Sequence, residues 1–237
     1  MPGRTVHELA LEFRRLSTYL TSGGSPAVAR QRLVDLAPTS IPGCDWAGIT
    51  ARPENGQARL VACSDDIARR LDELQDRTGQ GPCLEAAAGS ESVRSSDLST
   101  ETRWPEFTAL ALEDTPVRGV LAFHLMETPS PTALNLYAGT GEAFDDDAVT
   151  LGALFATHAS VLMALADSTH EAATLGAALS TSRQIGAAVG ILMSVHRVTE
   201  PEAFELLKHA SNHLNRKLRD IARDVTETGQ LPESDAR

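Results

Sequence analysis

Three groups of side chains in this chain are placed to do chemistry, each of a different kind. Cys83 follows Gly79-Gln80-Gly81-Pro82 at a helix start, where the positive helix end favours a thiolate. It is a candidate redox or adduct sensor, with a small buried core thiol as the alternative. Trp104-Pro105-x-Phe107 offers aromatic surface that either lines a ligand pocket or anchors a core. Between Lys208 and Arg223, five cations (Lys208, Arg216, Lys217, Arg219, Arg223) stand against one anion, Asp220. Arg216, Arg219 and Arg223 recur at helical steps and predict one exposed cationic stripe. Such a stripe suits a polyanion, and Ser211, Asn212 and Asn215 add donors of the kind that position a nucleic-acid backbone. A solvated charged face is the alternative.

Other chemistry is poorly supplied. Gly139-Thr140-Gly141-Glu142 lacks the Gly-Lys-Ser/Thr ending of a phosphate loop. His124, His158 and His170 show no metal-ligand spacing and no paired nucleophile. Cys44, Cys63 and Cys83 are odd in number and lack CxxC spacing, which argues against a disulfide framework or a zinc site. No catalytic or metal-binding residue is therefore expected, and no cofactor is assigned. The net charge is −11. Residues 171–237 carry 8 cations and 9 anions, a net of −1, which leaves −10 (13 minus 23) for residues 1–170. The acidic bulk repels nucleic acid, so binding has to be local and salt-sensitive. Met1-Pro-Gly-Arg-Thr leads straight into an amphipathic helix, and the longest apolar stretches are broken by Arg118, His124, Thr157 and His158. A reduced cytoplasmic protein without a membrane span is expected.

The elements that must position these groups read as follows. Thr5–Thr21 and Pro26–Ala37 are helices. Cys44–Ala51 and Ala58–Cys63 form a hairpin about Pro53-Glu54-Asn55-Gly56. Ser64 or Asp65 caps a helix to about Arg77, and a short helix covers Leu84–Ala88. Ser92–Asp97, Val117–Met126 and Ala133–Ala138 are strands, the last two separated by a turn with Pro129 and Pro131, and Trp104–Glu113 is a helix. From Phe144 onward the chain is helical, capped by Asp145-Asp146-Asp147. Leu151, Leu154, Phe155, His158, Val161, Leu162 and Leu165 make one apolar face, continued by Ala172, Leu175, Leu179 and Ser182. No proline lies between Pro131 and Pro201, so one helix can feed from the first domain into the second. The stripe past the domain border predicts a coiled-coil seam of Leu165, Ala172, Leu175 and Leu179 between two copies, against ordinary packing on the sheet. Arg183–Val195, a helix opened by the capping box Thr199-Glu200-Pro201-Glu202, and a third carrying Leu214, Leu218, Ile221, Ala222 and Val225 form a terminal bundle. Gly186 and Gly190 would let a neighbouring helix approach closely.

The segment Leu179 to Val225 resembles the ANTAR domain, the RNA-binding module of transcription antitermination regulators. The likeness rests on Ser182-Arg183-x-Ile185-xx-Ala188-x-Gly190-Ile191-Leu192-Met193, on Ala203-Phe204-xx-Leu207, and on Ser211-xxx-Asn215-xx-Leu218-Arg219-Asp220-Ile221-Ala222. It implies a three-helix bundle that acts as a dimer on paired RNA stem-loops. Val189 stands where many members carry lysine; RNA contact then falls to Arg183, Lys208, Arg216 and Lys217, with Ser211, Asn215, Arg219 and Arg223 beside them. The part from Thr5 to Ala166 resembles a GAF sensor domain, through Cys44-Asp45-x-Ala47-Gly48-Ile49, Gly79-x-Gly81-Pro82-Cys83-Leu84-Glu85-Ala86 and Arg103-Trp104-Pro105-x-Phe107. That likeness implies a small-molecule ligand of unassigned identity.

The expected fold is α+β: a GAF-like antiparallel sheet flanked by helices, then a long connecting helix and a C-terminal three-helix bundle. The expected division is a sensor domain at 1–166, a helical linker at 167–178, an ANTAR domain at 179–232 and a disordered tail at 233–237. The expected function is signal-controlled binding of RNA by a homodimer, without enzymatic activity. Two alternatives are a protein-interaction regulator without nucleic acid, and a thiol reductase of free methionine sulfoxide.

Overall fold

The structure, a computed structural model, describes residues 6–53, 59–89, 92–127 and 130–232. It divides into two compact units, Met1–His170 and Glu171–Arg237. In the first, α1 (Val6–Thr21) and α2 (Pro26–Ser40) precede β1 (Trp46–Ala51) and β2 (Arg59–Cys63). Then come α3 (Asp66–Thr78), α4 (Pro82–Ala87), β3 (Ser92–Ser95), α5 (Pro105–Asp114), β4 (Gly119–Met126) and β5 (Thr132–Ala138). The five strands pair antiparallel in the order β2-β1-β5-β4-β3. This is the α+β fold expected. Glu54, Asn55 and Gly56 of the expected hairpin turn, Pro129, and the expected tail at 233–237 lie outside the described residues.

β5 is central, so all seven of its residues are buried and its apolar run shows no alternation. Its neighbour β1 sorts residues by the two-residue strand period. Ala47 and Ile49, with Leu134, Leu136 and Leu121, face the core shared with α1, α2 and α6. Tyr137, Val120 and Ala122 face the opposite core, built with α3, α4 and α5. Asp65 caps α3, its Oδ1 accepting from the Ile67 amide at 2.9 Å, and Gly79 ends that helix in the left-handed conformation.

α6 (Asp146–His196) is a single helix of 51 residues, begun by Asp145, whose Oδ1 accepts from the Ala148 amide at 2.8 Å. By length and composition alone it could cross a membrane. Its first half is nonetheless a core helix, with Phe155, Ala159, Leu162, Met163 and Ala166 buried on the sheet. The expected single apolar face is here two faces. Leu154 and Val161 are 50% and 63% exposed, and His158 is exposed with its ring stacked on Phe13 at 4.9 Å. The reason is geometric. Residues 155, 159, 162 and 166 lie on one side of a 3.6-residue helix, and 154, 158, 161 and 165 are turned about 100° from them.

In the second unit, the end of α6, α7 (Glu200–Leu214) and α8 (Leu218–Thr228) close over Ala188, Val189, Leu192, Ala203, Leu207, Ile221, Ala222 and Val225. The expected capping box is present: the Thr199 amide donates to Glu202 Oε2 at 2.8 Å. Met193 is 36% exposed. A Cβ placed at Gly186 or Gly190 would meet nothing within 4 Å, so the close helix approach expected there does not occur among the described residues.

Gly152 is where α6 comes nearest the sheet: a Cβ there would lie 2.6 Å from the Phe123 ring. Gly152→Ala is expected to lower the unfolding temperature of the first unit, overpacking costing about 1–3 kcal/mol against a helix-propensity gain of about 1 kcal/mol. Gly176→Ala, on the same helix but with open space around it, is expected to raise stability. Thermal unfolding of the two variants checks this; a stabilising Gly152→Ala would refute the packing constraint.

Candidate nucleic-acid interface and sensor core

The cationic segment is shaped by a helix break. Asn215 takes the left-handed conformation (φ 50°, ψ 41°) that ends α7. The link is tied by the Ser211 hydroxyl, which donates to the Arg216 carbonyl at 2.6 Å, and by the Arg216 amide, which donates to the Ser211 carbonyl at 3.0 Å. Arg216 and Lys217 therefore lie in the α7–α8 link. The expected single helical stripe of Arg216, Arg219 and Arg223 is corrected: only the last two are on α8. Ser211 and Asn215, expected as RNA contacts, hold the turn that places these cations.

Arg183, Lys208, Arg216, Lys217, Arg219 and Arg223 are all exposed. Several are engaged by acids of the same unit. Arg216 pairs with Asp224 at 2.7 Å, Lys208 with Glu205 at 3.1 Å, and Arg219 and Arg223 both with Asp220. Exposed pairs of this kind are worth roughly 0–1 kcal/mol, so a polyanion can displace them. Arg183 and Lys217 have no ion pair among the described residues. Val189 is buried and fills the bundle core beside Leu192, a place where an apolar branched side chain packs fully.

Of the expected dimer seam, Leu165 is half-buried and Ala172 exposed, while Leu175 and Leu179 are 63% and 55% exposed. Leu154, His158, Val161, Leu165, Ala172, Leu175 and Leu179 fall on alternating four- and three-residue steps, with Ser168 completing the series. That is the spacing of a coiled-coil seam.

In the first unit, Cys83 and Trp104 are buried in the same core as Phe107 and Tyr137. The glycine-rich loop has a specific job there. Gly81 adopts φ 141° and a Cβ on it would lie 2.4 Å from Gln75 Oε1, which accepts from the Cys83 amide at 2.8 Å. Gln75 thus caps α4 from inside the core, and its Nε2 donates to the Tyr137 hydroxyl at 3.4 Å. The expectation of a helix-start thiolate is reversed. Burial pushes the Cys83 thiol up to about 11, and Cys44 likewise to about 12, so both are held as thiols. α4, only six residues long, offers too little dipole to offset the desolvation.

Beside Cys83 lies a polar group that the pattern reading missed. The Thr50 hydroxyl donates to Asp72 Oδ1 at 2.6 Å, and Asn135 Nδ2 donates to Thr50 at 3.2 Å, all three buried. A signal existed: Asp72 sits on the apolar side of α3, with Ala68, Leu71 and Gln75. Burial raises the Asp72 carboxyl above the ordinary carboxylate value, and the Thr50 bond opposes this only in part. The folded state therefore holds this proton more tightly than the unfolded chain. Stability from this site is full at acid pH and is lost as pH rises through the elevated value. Asp72→Asn, which keeps the acceptor for Thr50, is expected to raise the unfolding temperature at pH 7, with the gain vanishing toward the normal carboxylate range near about pH 4. Thermal unfolding across that range checks it, and an equal gain at both ends would contradict it.

Residues 173–225 match the family model of the ANTAR domain. No curated protein matches the chain. The first unit is similar in fold to two solved domains. One is the GAF domain of a phosphoenolpyruvate-protein phosphotransferase from Coxiella burnetii, with 14% identity and a TM-score of 0.50, covering 67% of this chain and 94% of that one. The other is the corresponding GAF domain from Acinetobacter, with 17% identity and a TM-score of 0.51, covering 70% and 97%. The chain thus joins a first unit of GAF-like α+β fold to a segment, 173–225, that matches the ANTAR domain, consistent with a GAF–ANTAR arrangement.

Proposed function

We infer that this protein is a signal-responsive antitermination regulator, acting in the cytoplasm, whose ANTAR domain binds paired stem-loops in nascent RNA as a homodimer. The observation that carries the reading is the exposed cluster Arg183, Lys208, Arg216, Lys217, Arg219 and Arg223 on the unit that matches the ANTAR family. The mechanism is electrostatic and geometric. The αL turn at Asn215 presents Arg216 and Lys217 from a fixed link, and RNA phosphates exchange for Asp220, Asp224 and Glu205 as partners of the cations. Sequence-specific contact falls on loop bases, which are readable where duplex RNA is not. The burial of Cys83 and Cys44 supports a regulatory role for the first unit over reductase chemistry at those two thiols, which needs a thiolate.

Filter binding of the full chain to an RNA with two adjacent stem-loops is expected to show affinity that falls steeply with salt. The Arg183→Glu/Lys217→Glu variant is expected to bind about tenfold more weakly or worse. Equal affinity for duplex DNA of the same length would sink the RNA reading. RNA-independent partner binding that survives this charge reversal would favour the alternative, a regulator that pairs with another protein through its exposed leucines.

The second copy supplies cover for Leu175 and Leu179. In sedimentation the wild type is expected to run as a dimer and Leu175→Asp/Leu179→Asp as a monomer. A monomeric wild type would remove the seam.

A further inference from the structure

On the α2 and α6 side of the sheet, away from the Cys83–Trp104 core, the first unit holds a cavity of about 320 Å³. Its walls include Arg30 of α2, Arg59 and Val61 of β2, Met126 of β4, and Met163 and Asp167 of α6. Small-molecule sites typically run from roughly 300 to 1,000 Å³. Val61, Met126 and Met163 make an apolar lining with two thioethers that adapt to an irregular guest. Two guanidinium groups and one carboxylate are its charged members, a cationic balance in a chain whose net charge is −11, and Ser130 and Thr132 add hydroxyls.

Arg30 is only partly satisfied. Its Nη2 pairs with Asp167 Oδ1, while its Nε is shut from solvent with no hydrogen-bond partner among the described residues. A buried donor of a charged group left unmet is costly. Arg59 is exposed at the other wall and has no ion pair among the described residues. The groups are brought together only by the fold: Arg30 and Asp167 are 137 positions apart.

We propose that this cavity binds a small monocarboxylate, its apolar body against Val61, Met126 and Met163 and its carboxylate between Arg30 and Arg59. A carboxylate matches the planar fork of a guanidinium with two parallel bonds, so a guest that draws Arg30 toward it also meets the Nε donor. The guest competes with Asp167 for Arg30, and binding therefore loosens the tie between α2 and α6. That α6 then passes the signal to RNA binding rests on the regulatory reading above; the site itself does not.

Calorimetric titration of the full chain with hexanoate and with benzoate, against hexanamide and benzamide, tests the proposal. The carboxylates are expected to bind and the uncharged amides to bind at least about tenfold more weakly. Arg59→Gln, at an exposed position, and Ala51→Leu, which narrows the cavity because Ala51 of β1 also lines it, are each expected to weaken hexanoate by about tenfold. Asp167→Asn is expected to tighten it, because the competitor for Arg30 is weakened. No binding of either carboxylate, equal binding of the amides, or unchanged affinity in Arg59→Gln would overturn the site. The titration contains no RNA, so its result is independent of whether the second unit binds RNA.

Discussion

At Gly152 the backbone of α6 lies against the ring of Phe123, and from that contact the helix runs on without a break to His196. The first unit needs the buried side of this helix to close its sheet: Phe155, Leu162 and Met163 each remove apolar surface worth roughly 1.5–3 kcal/mol from water. The second unit needs Ala188, Val189 and Leu192, on the same helix, as one wall of its bundle. A single helix therefore contributes side chains to both cores. Between the two cores, residues 171–180 are exposed. That is the stretch where the leucines of the seam have no cover from their own chain.

The two faces of the sheet are built for different purposes. The face under α3, α4 and α5 is packed, with Tyr137, Phe107 and Trp104 filling it and a buried polar group of Thr50, Asp72 and Asn135 tied into it. The face under α2 and α6 is apolar at its centre but opens at one end into the arginine-lined cavity. Burial holds Cys83 as a thiol and raises the Asp72 carboxyl above its ordinary value in the packed face, whereas at the cavity Arg30 is paired with Asp167.

Much of this was legible in the chain. Strands and helices follow from periodicity, the caps at Asp65, Asp145 and Thr199 from residue type, and the run without proline from Pro131 to Pro201 from the absence of a breaker. What misled was local reasoning about charge and facing. A cysteine after Gly-Pro reads as a thiolate only if the helix end reaches solvent, and Cys83 does not. Arginines at helical spacing read as one stripe only if one helix carries them all, and Arg216 lies in the link before α8 begins at Leu218. The apolar residues of α6 read as one face because spacing alone cannot say which side meets the sheet.

The sequence by itself determined the element order, the α+β class, the helical second module with its cations, and the likeness to ANTAR and GAF domains. These depend on neighbours within a few residues, or on a pattern held along the chain. Only the tertiary structure decided which side of α6 is buried, which acids stand beside which cations, and where Arg30, Arg59 and Asp167 meet. Those outcomes depend on burial and on contacts between residues far apart in the chain, and the desolvation that raises the Cys83 and Asp72 pKa exists only once the core has closed.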